Sequence, residues 1–429
     1  MIEGVRRLFY LFSRIRRMRR GWLGASTLSL IILLALCSPP LIPYSISGFD
    51  PISLMGKYEG ALHGGMPLSD DELYALAGWL YIHGGNPIDV NFEHPPLAKY
   101  LIGLSELLFG NPIAMGIIFS IATLLVLYMA SRRSLRVFPF TVLPILILGS
   151  DRLYLKFTYT SMLDIYAVFF TILTVLLLLA SKDNLKRLHL AYLALGLALS
   201  CKWTTAFLVP SILIHHAVNR EWRHLKYFPF GLLISFGAYT ASYAAFFAYG
   251  NDLMDFMELQ LRMLRFQHFM RFERGTPPPF WILLNFLGGI EGPAEHRTVT
   301  LASNNTLLYG APSYGLSMIR EWNPLTWPPS FSASLLCLIR HFTSEKPKGK
   351  ILFPASFLCS LFIAAYGQVF IWYILPGLPL GFLALSSFLE GEYERLRDKR
   401  IANILLSIYM VLLLIFRFLV KLPSFIPLH

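Results

Sequence analysis

Charged residues are scarce in this chain. Only 14% of its 429 residues are Asp, Glu, Lys or Arg, while 55% are hydrophobic, and the mean hydropathy is +0.55. A soluble domain carries about a quarter charged residues, so this composition excludes that class and predicts a polytopic membrane protein. The net charge of +12 does not indicate nucleic-acid binding, because the basic residues fall in short clusters between apolar runs.

Cysteines and internal repeats are scarce as well. The four cysteines, Cys37, Cys201, Cys337 and Cys359, lie in or beside apolar runs and form no C-x-x-C pair. This pattern excludes a disulfide framework and a cysteine-based zinc site, and we expect no metal in the functional site. The chain shows no internal repeat and no low-complexity tract, so repeat architectures are excluded too.

What the chain does contain is a series of apolar runs long enough to enter a bilayer. The arginine-rich start followed by residues 22–36 predicts an uncleaved signal anchor with a cytoplasmic N-terminus. We predict an all-α bundle of about 11 transmembrane helices with external amphipathic helices. The predicted spans are 21–38, 112–131, 137–157, 162–180, two short helices within 188–218, 227–248, 325–341, 351–368, 370–389 and 401–420.

The predicted spans and loops divide the chain into three parts. Residues 1–248 form a catalytic membrane module that includes an external loop, 39–94. Residues 249–324 form a second external segment with an interfacial helix from Phe256 to Phe272, and residues 325–429 form C-terminal membrane helices. The positive-inside pattern places both loops on the extracytoplasmic side of a plasma membrane or an endoplasmic reticulum membrane.

The external loop 39–94 gathers ionisable residues at the membrane edge. It carries Asp70-Asp71-Glu72 and ends in Phe92-Glu93-His94-Pro95-Pro96-Leu97-Ala98-Lys99. Pro-Pro fits the first turn of a helix and holds His94 at its mouth. A helix N-terminus beside His and Lys is a ready anion site, and phosphate is the obvious anion. The alternative for the three acidic residues is that they only cap a helix.

Two further ionisable positions lie inside apolar runs, where charge is costly. Asp164 begins one predicted helix, and Asp151 and Arg152 end the one before it, so a purely structural ion pair is the alternative there. Lys202-Trp203 lies at the apex between two short helices, where the alternative is a lysine that snorkels to the interface. Asn323 and Tyr373 begin later helices on the outer side, and interfacial aromatic residues explain much of that pattern.

Together these residues predict a reaction at the outer surface. Lys202 and His94 would neutralise a lipid-linked phosphate, which is a leaving group that needs positive charge as it departs. A carboxylate of the 70–72 cluster would take the proton of an incoming hydroxyl group. No metal or other cofactor is required if lysine, histidine and a helix dipole supply the positive charge.

These motifs resemble those of the protein O-mannosyltransferases and the related aminoarabinose transferases of lipid A, which are GT-C membrane glycosyltransferases. The similar elements, in chain order, are Asp71-Glu72, His94-Pro95-Pro96-Leu97-Ala98-Lys99, Leu163-Asp164, Ser200-Cys201-Lys202-Trp203, Asn323-Pro324 and Tyr373 to Pro379. Phe92-Glu93-His94-Pro95 is also similar to the Phe-Glu-Lys-Pro of the lipid A enzymes, whose lysine contacts lipid phosphate. The family usually has an arginine shortly before Leu-Asp, where this chain has Thr158-Tyr159-Thr160.

The resemblance implies an inverting transfer of a hexose, with mannose expected, from a dolichyl or other polyprenyl phosphate to a hydroxyl acceptor. It implies that Asp71 is the base and that Glu72 places the acceptor. Donor binding falls to Glu93, His94, Lys99, Asp164 and Lys202, with Arg152 in place of the missing arginine, and Trp203, Asn323 and Tyr373 line the pocket. The expected partners are the lipid-linked donor, a protein Ser/Thr, lipid or glycan acceptor, and the bilayer, with no nucleic acid.

Two other functions remain open at this stage. A secondary transporter also uses broken helices with charged residues, but such proteins commonly show two related halves. A lipid-linked glycan polymerase or ligase shares the donor chemistry and uses a diphosphate carrier. The sequence alone does not give the sugar, the acceptor or the oligomeric state.

Overall fold

A computed structural model gives the structure of the protein and describes residues 49–64, 68–182, 184–272, 279–296, 299–301, 307–309, 313–343, 351–366 and 371–419. The predicted first span, 21–38, lies outside the described residues. The described chain is mostly helical. Its helices are α1 Pro51–Leu62, α2 Asp70–Ile82, α3 Leu97–Phe109, α4 Ala114–Ser134, α5 Phe138–Ser150, α6 Arg152–Thr158, α7 Asp164–Leu179, α8 Leu185–Cys201, α9 Leu208–Val218, α10 Trp222–Ala241, α11 Ala244–Ala248, α12 Leu253–Phe272, α13 Trp281–Gly288, α14 Trp327–Thr343, α15 Leu352–Tyr366, α16 Leu378–Arg395 and α17 Arg400–Leu419.

Four short strands between residues 290 and 318 are an addition to the predicted all-α fold. Strands β1 Ile290–His296 and β4 Ser313–Met318 pair antiparallel, and β2 Val299–Leu301 pairs antiparallel with β3 Leu307–Tyr309. The β1–β4 register shifts between Glu291 and Ala294. The interfacial helix predicted at 256–272 is present as α12 and begins three residues earlier.

The apolar helices differ in their ability to cross a membrane alone. Within the described residues, α4 is long and apolar enough to do so, and the pair α5–α6, bent by 61°, gives a second span if counted as one. These criteria give fewer spans than the predicted 11, because other apolar helices, such as α7 with 16 residues and α15 with 15, are short. Short helices remain compatible with a bundle in which neighbours cover their ends.

The core of the bundle lies where α7 packs between α4 and α8, with α10 on the far side of α8. Small residues permit this close packing. A Cβ at Gly196 of α8 would lie 2.9 Å from Cα of Ser235 in α10, and the Ser235 hydroxyl donates to the carbonyl oxygen of Tyr192 at 2.7 Å.

Two predicted spans are interrupted at charged residues. The span predicted at 137–157 breaks at Asp151, whose carboxylate accepts from the backbone N–H of Tyr154 at 3.1 Å and from the Trp327 indole at 2.7 Å. The 188–218 segment breaks at Lys202, between α8 and a 3₁₀ helix, Trp203–Phe207. The predicted pair of short helices is therefore present, with the lysine at its break.

The helices α2 and α3 lie against each other through two glycines. A Cβ on Gly78 would come within 2.7 Å of the backbone nitrogen of Gly103 and of the carbonyl oxygen of Lys99. Only a residue without a side chain permits this approach. The contact sets the position of α2, which carries the acidic cluster, relative to α3, which follows His94.

Candidate active site

Lys202 is placed by the break that follows α8. Its backbone is extended, with φ −159° and ψ 133°, so its side chain leaves the helical path and enters the interior. The residue is 3% exposed. Its carbonyl oxygen accepts from the Thr205 hydroxyl at 2.8 Å, which ties the break to the 3₁₀ helix that follows.

The Lys202 ammonium group forms a buried ion pair with Asp164 at the start of α7. Its Nζ lies 2.8 Å from both carboxylate oxygens, and Asp164 is fully buried. The ring of Tyr373 lies beside the ammonium, with 4.9 Å between Nζ and the ring centroid. Removing one partner of such a pair leaves an uncompensated buried charge, whereas the intact pair is neutral overall.

The acidic residues that begin α2 occupy different environments. Glu72 and Ser69 form a capping box, and the Glu72 carboxylate also pairs with Lys57 at 3.0 Å. Burial would raise the pKa of Glu72, but Lys57 and Ser69 lower it by more, so the pKa lies below its usual value. The observed contacts of Glu72 are those of a helix cap, and its predicted role in placing an acceptor stays a prediction.

Asp70 lies at the accessible end of α2, within electrostatic reach of the Lys202–Asp164 pair. The Asp70 side chain is exposed, yet neighbouring protein atoms partly desolvate its carboxylate and raise the pKa of Asp70; Lys202 acts in the opposite direction, and Asp164 and Asp71 raise it further. The neighbouring Asp71 is half-buried, and its backbone carbonyl accepts from the Ser161 hydroxyl at 2.7 Å. The charge of Asp70 is thus coupled to that of Lys202.

Tyr74 lies one turn further along α2, close to both the Lys202–Asp164 pair and His94. Burial raises the pKa of its phenol well above the usual value, and Asp70, Asp164, Tyr373 and Glu93 add to this effect. Its ring also meets the ring of His94 edge to face, with 5.8 Å between centroids. Tyr74 therefore stands between the acidic cluster, the ion pair and the histidine corner.

His94 lies in the turn of residues 91–94 that precedes α3, called the histidine corner, and its side chain is half-buried. Burial lowers the pKa of His94 well below its usual value, and the positive charges of Lys202 and Lys99 lower it further. The imidazole is therefore neutral at neutral pH when the site holds no anion. A phosphate placed between His94 and Lys202 would reverse this balance, because a nearby negative charge favours the protonated ring.

Lys99 fixes the corner from within α3. It is fully buried, and its ammonium donates to the Asn91 carbonyl, to Asn91 Oδ1 at 3.1 Å and to the His94 carbonyl at 2.8 Å. Burial lowers the pKa of Lys99 to about 7, although Glu93 acts in the other direction. These contacts hold the 91–94 turn in place, and the prediction that Lys99 binds the donor remains untested.

Helix α12 covers this corner from outside. The Arg262 guanidinium lies 4.1 Å from the centroid of the Phe92 ring, and the Gln267 amide donates to the carbonyl oxygen of Glu93 at 3.3 Å. On the same helix, Gln260 accepts from the hydroxyl of Tyr239 at 2.6 Å, and that hydroxyl accepts from the Trp203 indole at 2.9 Å. Trp203 is thus anchored beside the site.

Two other predicted site residues lie against different parts of the chain. Arg152 donates to the carbonyl oxygen of Arg320 at 2.7 Å and lies over the Phe416 ring at 4.6 Å. Asn323 is fully buried, and its side chain closes the turn before α14 by accepting from the backbone N–H of Leu325 at 3.0 Å. Their predicted roles in donor binding and pocket lining therefore stay predictions.

The sequence motifs missed Asp70 and Tyr74 as individual residues. Asp70 was part of the recognised acidic cluster, but the choice between adjacent acids depends on how α2 is rotated. The spacing of Tyr74, one helical turn after Asp70, is the signal that places both on one face.

Comparison with known proteins bears on the segment that holds most of these residues. Residues 93–242 match the family model described as dolichyl-phosphate-mannose-protein mannosyltransferase. The match covers this segment and not the rest of the chain. The matched range contains His94, Lys99, Asp164 and Lys202, whereas the acidic cluster of α2 lies before it.

Individual relatives of the chain are distant. Two polyprenol-phosphate-mannose–protein mannosyltransferases, from Mycolicibacterium smegmatis strains ATCC 700084 / mc(2)155 and MKD8, are each 25% identical over 235 residues. The aligned region covers 43% of this chain and 45% of each relative. The match therefore spans less than half the length of these curated relatives.

The fold of the chain is similar to that of ArnT from Cupriavidus metallidurans. The ArnT structure bound to undecaprenyl phosphate aligns with a TM-score of 0.56 at 13% identity, over 91% of this chain and 63% of that chain. The apo structure of the same protein aligns with a TM-score of 0.53 at 14% identity, over 92% and 63%. At this identity the likeness shows a shared fold and no more.

Proposed function

We propose that the protein transfers a hexose, with mannose as the first choice, from a polyprenyl phosphate carrier to a hydroxyl acceptor on the extracytoplasmic side of a membrane. The observation that carries the proposal is the buried Lys202–Asp164 pair, with both carboxylate oxygens 2.8 Å from Nζ and Asp70, Tyr74, His94 and Tyr373 around it. The names of the matched family and of its mycobacterial relatives support mannose as the sugar.

The ion pair is suited to hold the donor phosphate. A lone buried lysine would be costly, and Asp164 keeps Lys202 charged and oriented until an anion arrives. The arriving phosphate shares the ammonium with Asp164, and charge builds up on the phosphate as the bond to the sugar breaks. A preorganised cation in a water-poor site stabilises that developing charge. The solved ArnT complex with undecaprenyl phosphate supports a lipid phosphate as the ligand of this fold.

A carboxylate of α2 would serve as the general base. Resemblance to the family favours Asp71, whereas the coupling of Asp70 to Lys202 and Asp164 favours Asp70. A raised pKa suits this task, because a base of higher pKa accepts a proton more readily while it remains ionised at neutral pH. Attack by the activated hydroxyl opposite the departing phosphate inverts the anomeric centre in a single displacement.

The remaining parts of the proposal concern the membrane. We infer a bundle of about 11 spans, because the short helices α7, α8, α9 and α15 pack as parts of one bundle. The acceptor is a hydroxyl of a protein Ser or Thr, a lipid or a glycan.

The test is a transfer assay with the full chain in detergent, using polyprenyl-phosphate mannose and hydroxyl-bearing peptides, with anomeric configuration read by NMR. The key variant is Lys202→Met/Asp164→Met, which removes both charges together and so leaves no unpaired charge in the core. We expect transfer to fall by about 10²–10³-fold. The matched control, Lys156→Met/Glu321→Met, removes the 2.6 Å ion pair of α6 and should retain transfer.

Three outcomes would contradict the proposal. One is unchanged transfer in the Lys202→Met/Asp164→Met variant. A second is solute uptake into proteoliposomes without any lipid donor, together with no transfer, which would identify a transporter. A diphosphate-linked donor that outcompetes the monophosphate would instead assign the protein to the glycan polymerases or ligases.

A further inference from the structure

A second cluster of ionisable residues lies where α9 turns into α10. His215 and His216 end α9, Glu221 precedes α10, and His224 lies in its first turn. Helix α8, with 17 residues, separates Lys202 from the α9–α10 end of the bundle by about 25 Å, at 1.5 Å per residue. The cluster is therefore separate from the candidate active site.

Three imidazole rings surround one carboxylate oxygen in this cluster. Oε2 of Glu221 lies 2.8 Å from Nδ1 of His216, 3.3 Å from Nδ1 of His224 and 3.8 Å from Nε2 of His215. One ligand atom from each of His215, His216 and Glu221 lies within 4.8 Å of the others. Imidazole nitrogen and carboxylate oxygen are the ligands that Zn²⁺ and related divalent ions take in proteins.

The hydrogen bonds around the rings point to a cation at their centre. Nε2 of His224 lies 3.3 Å from the carbonyl oxygen of Ser181, and a carbonyl can only accept, so Nε2 carries the proton. In a neutral ring, Nδ1 of His224 then presents a lone pair toward the carboxylate at 3.3 Å. Two facing lone pairs repel, and a cation between them removes the repulsion.

A buried nitrogen in the cluster lacks a partner. His216 is 1% exposed, and among the residues that the structure describes its Nε2 has no hydrogen-bond partner. Its ring lies between those of His215 and His224, with centroids 5.4 Å and 5.1 Å away. Because the nitrogen that faces Glu221 is Nδ1, at 2.8 Å, metal ligation by His216 would use Nδ1 and would leave the proton on Nε2.

The remaining contacts arrange the rings for ligation. Nδ2 of Asn219 lies 2.9 Å from Nδ1 of His215. Ligation by Nε2 of His215 requires this exposed amide to turn, so that its oxygen accepts the Nδ1 proton.

We propose that His215, His216, Glu221 and His224 bind a divalent transition-metal ion, with Zn²⁺ as the best match, at the end of the bundle opposite the active site. The ion would join the end of α9 to the start of α10, and His224 would link both to the Ser181 turn after α7. Its role is structural, and it takes no part in the transfer reaction.

The test uses the full chain, purified in detergent through an affinity tag without histidine, stripped with EDTA, reloaded with Zn²⁺ and desalted. We expect about one retained ion per chain by elemental analysis, visible d–d bands when Co²⁺ replaces Zn²⁺, and a higher unfolding temperature with metal than without. Glu221→Gln/His224→Gln should lose all three. His189→Gln is the matched control, because His189 packs on Tyr227 and Phe230 outside the cluster.

Two results would overturn the assignment. One is a wild-type chain that retains no Zn²⁺ after desalting, which would mean that a proton alone occupies the cluster. The other is equal retention by wild type and by the folded Glu221→Gln/His224→Gln variant. Because the readouts are metal content, absorption and unfolding temperature, failure here is distinguishable from failure of the proposed transferase activity.

Discussion

At the scale of single residues, Asp70 and Asp71 differ because successive helix positions are rotated by about 100°. Asp70 is coupled to Lys202 and Asp164, whereas the backbone of Asp71 is held by Ser161. If Asp70 is the base, Asp70→Asn should lower transfer by about 10²–10⁴-fold, the usual contribution of a general base. Asp71→Asn should retain most of the turnover, measured at saturating donor. The reverse result would assign the base to Asp71.

The pH profile gives an independent test of the same assignment. A base must be ionised, so turnover is lost as pH falls through the raised pKa of Asp70. Partial desolvation of the carboxylate is the main cause of that raised pKa, and the negative charge of Asp71 adds to it. Asp71→Asn removes this charge, so we expect the acid limb of the kcat profile to move to lower pH. An acid limb that stays in place in Asp71→Asn would argue against Asp70.

The lowered pKa of His94 leads to a prediction about proton uptake when the donor binds. Its pKa is lowered by burial and by two lysines, so the ring is neutral before the donor binds and gains a proton when phosphate arrives. Calorimetry of polyprenyl phosphate binding in buffers of different ionisation enthalpy should therefore show protons taken up near neutral pH. His94→Lys supplies a fixed charge and should bind with less uptake. Equal uptake in both proteins would exclude His94 as the group that is protonated.

The motifs identified residue types that meet in the structure, since Lys202, Asp164 and Tyr373 lie together. The resemblance favoured Asp71 as the base, and that choice stays a prediction. The residue pattern by itself does not give the rotation of α2, which is set by its packing on α3. The motifs also could not show that the Lys99 ammonium donates its hydrogen bonds to Asn91 and His94, because those contacts depend on the path of the 91–94 turn.

At the scale of elements, the close approach of α2 and α3 should be essential for the site. Gly78→Ala places a methyl group 2.7 Å from backbone atoms of α3, which rigid backbone cannot relieve. We expect a loss of about 1–3 kcal/mol in unfolding free energy, as for other overpacked positions, and a larger relative loss of transfer because Asp70 is displaced.

Gly60→Ala in α1 is the matched control for this prediction. A Cβ at Gly60 meets nothing within 4 Å, and alanine favours a helix over glycine by up to about 1 kcal/mol. The control should keep its activity and unfold at the same temperature or higher, as followed by circular dichroism. A Gly78→Ala protein as stable and active as this control would show that α2 can move without consequence.

Hydrophobic periodicity predicted most of the described helices to within a few residues, and charge at an apex predicted the break at Lys202. It missed the strands between 290 and 318, because short strands gain their stability from partners that are distant in sequence. The bend at Asp151 was missed as well, since the hydrogen bond from Trp327 comes from 176 residues further along the chain.

At the scale of the whole molecule, the site around Lys202 and the histidine cluster lie at opposite ends of α8. The basic residues that follow α4 and α7 predict that the cluster end is cytoplasmic. In a cysteine-free background, His63→Cys near α1 and Arg223→Cys in α10 place single thiols at exposed positions. In sealed right-side-out vesicles, a membrane-impermeant maleimide should label the first and leave the second unlabelled until the membrane is opened. Labelling of Arg223→Cys but not of His63→Cys in sealed vesicles would place the Lys202 side on the cytoplasmic face, and a lipid donor could then not reach the proposed site from the extracytoplasmic leaflet.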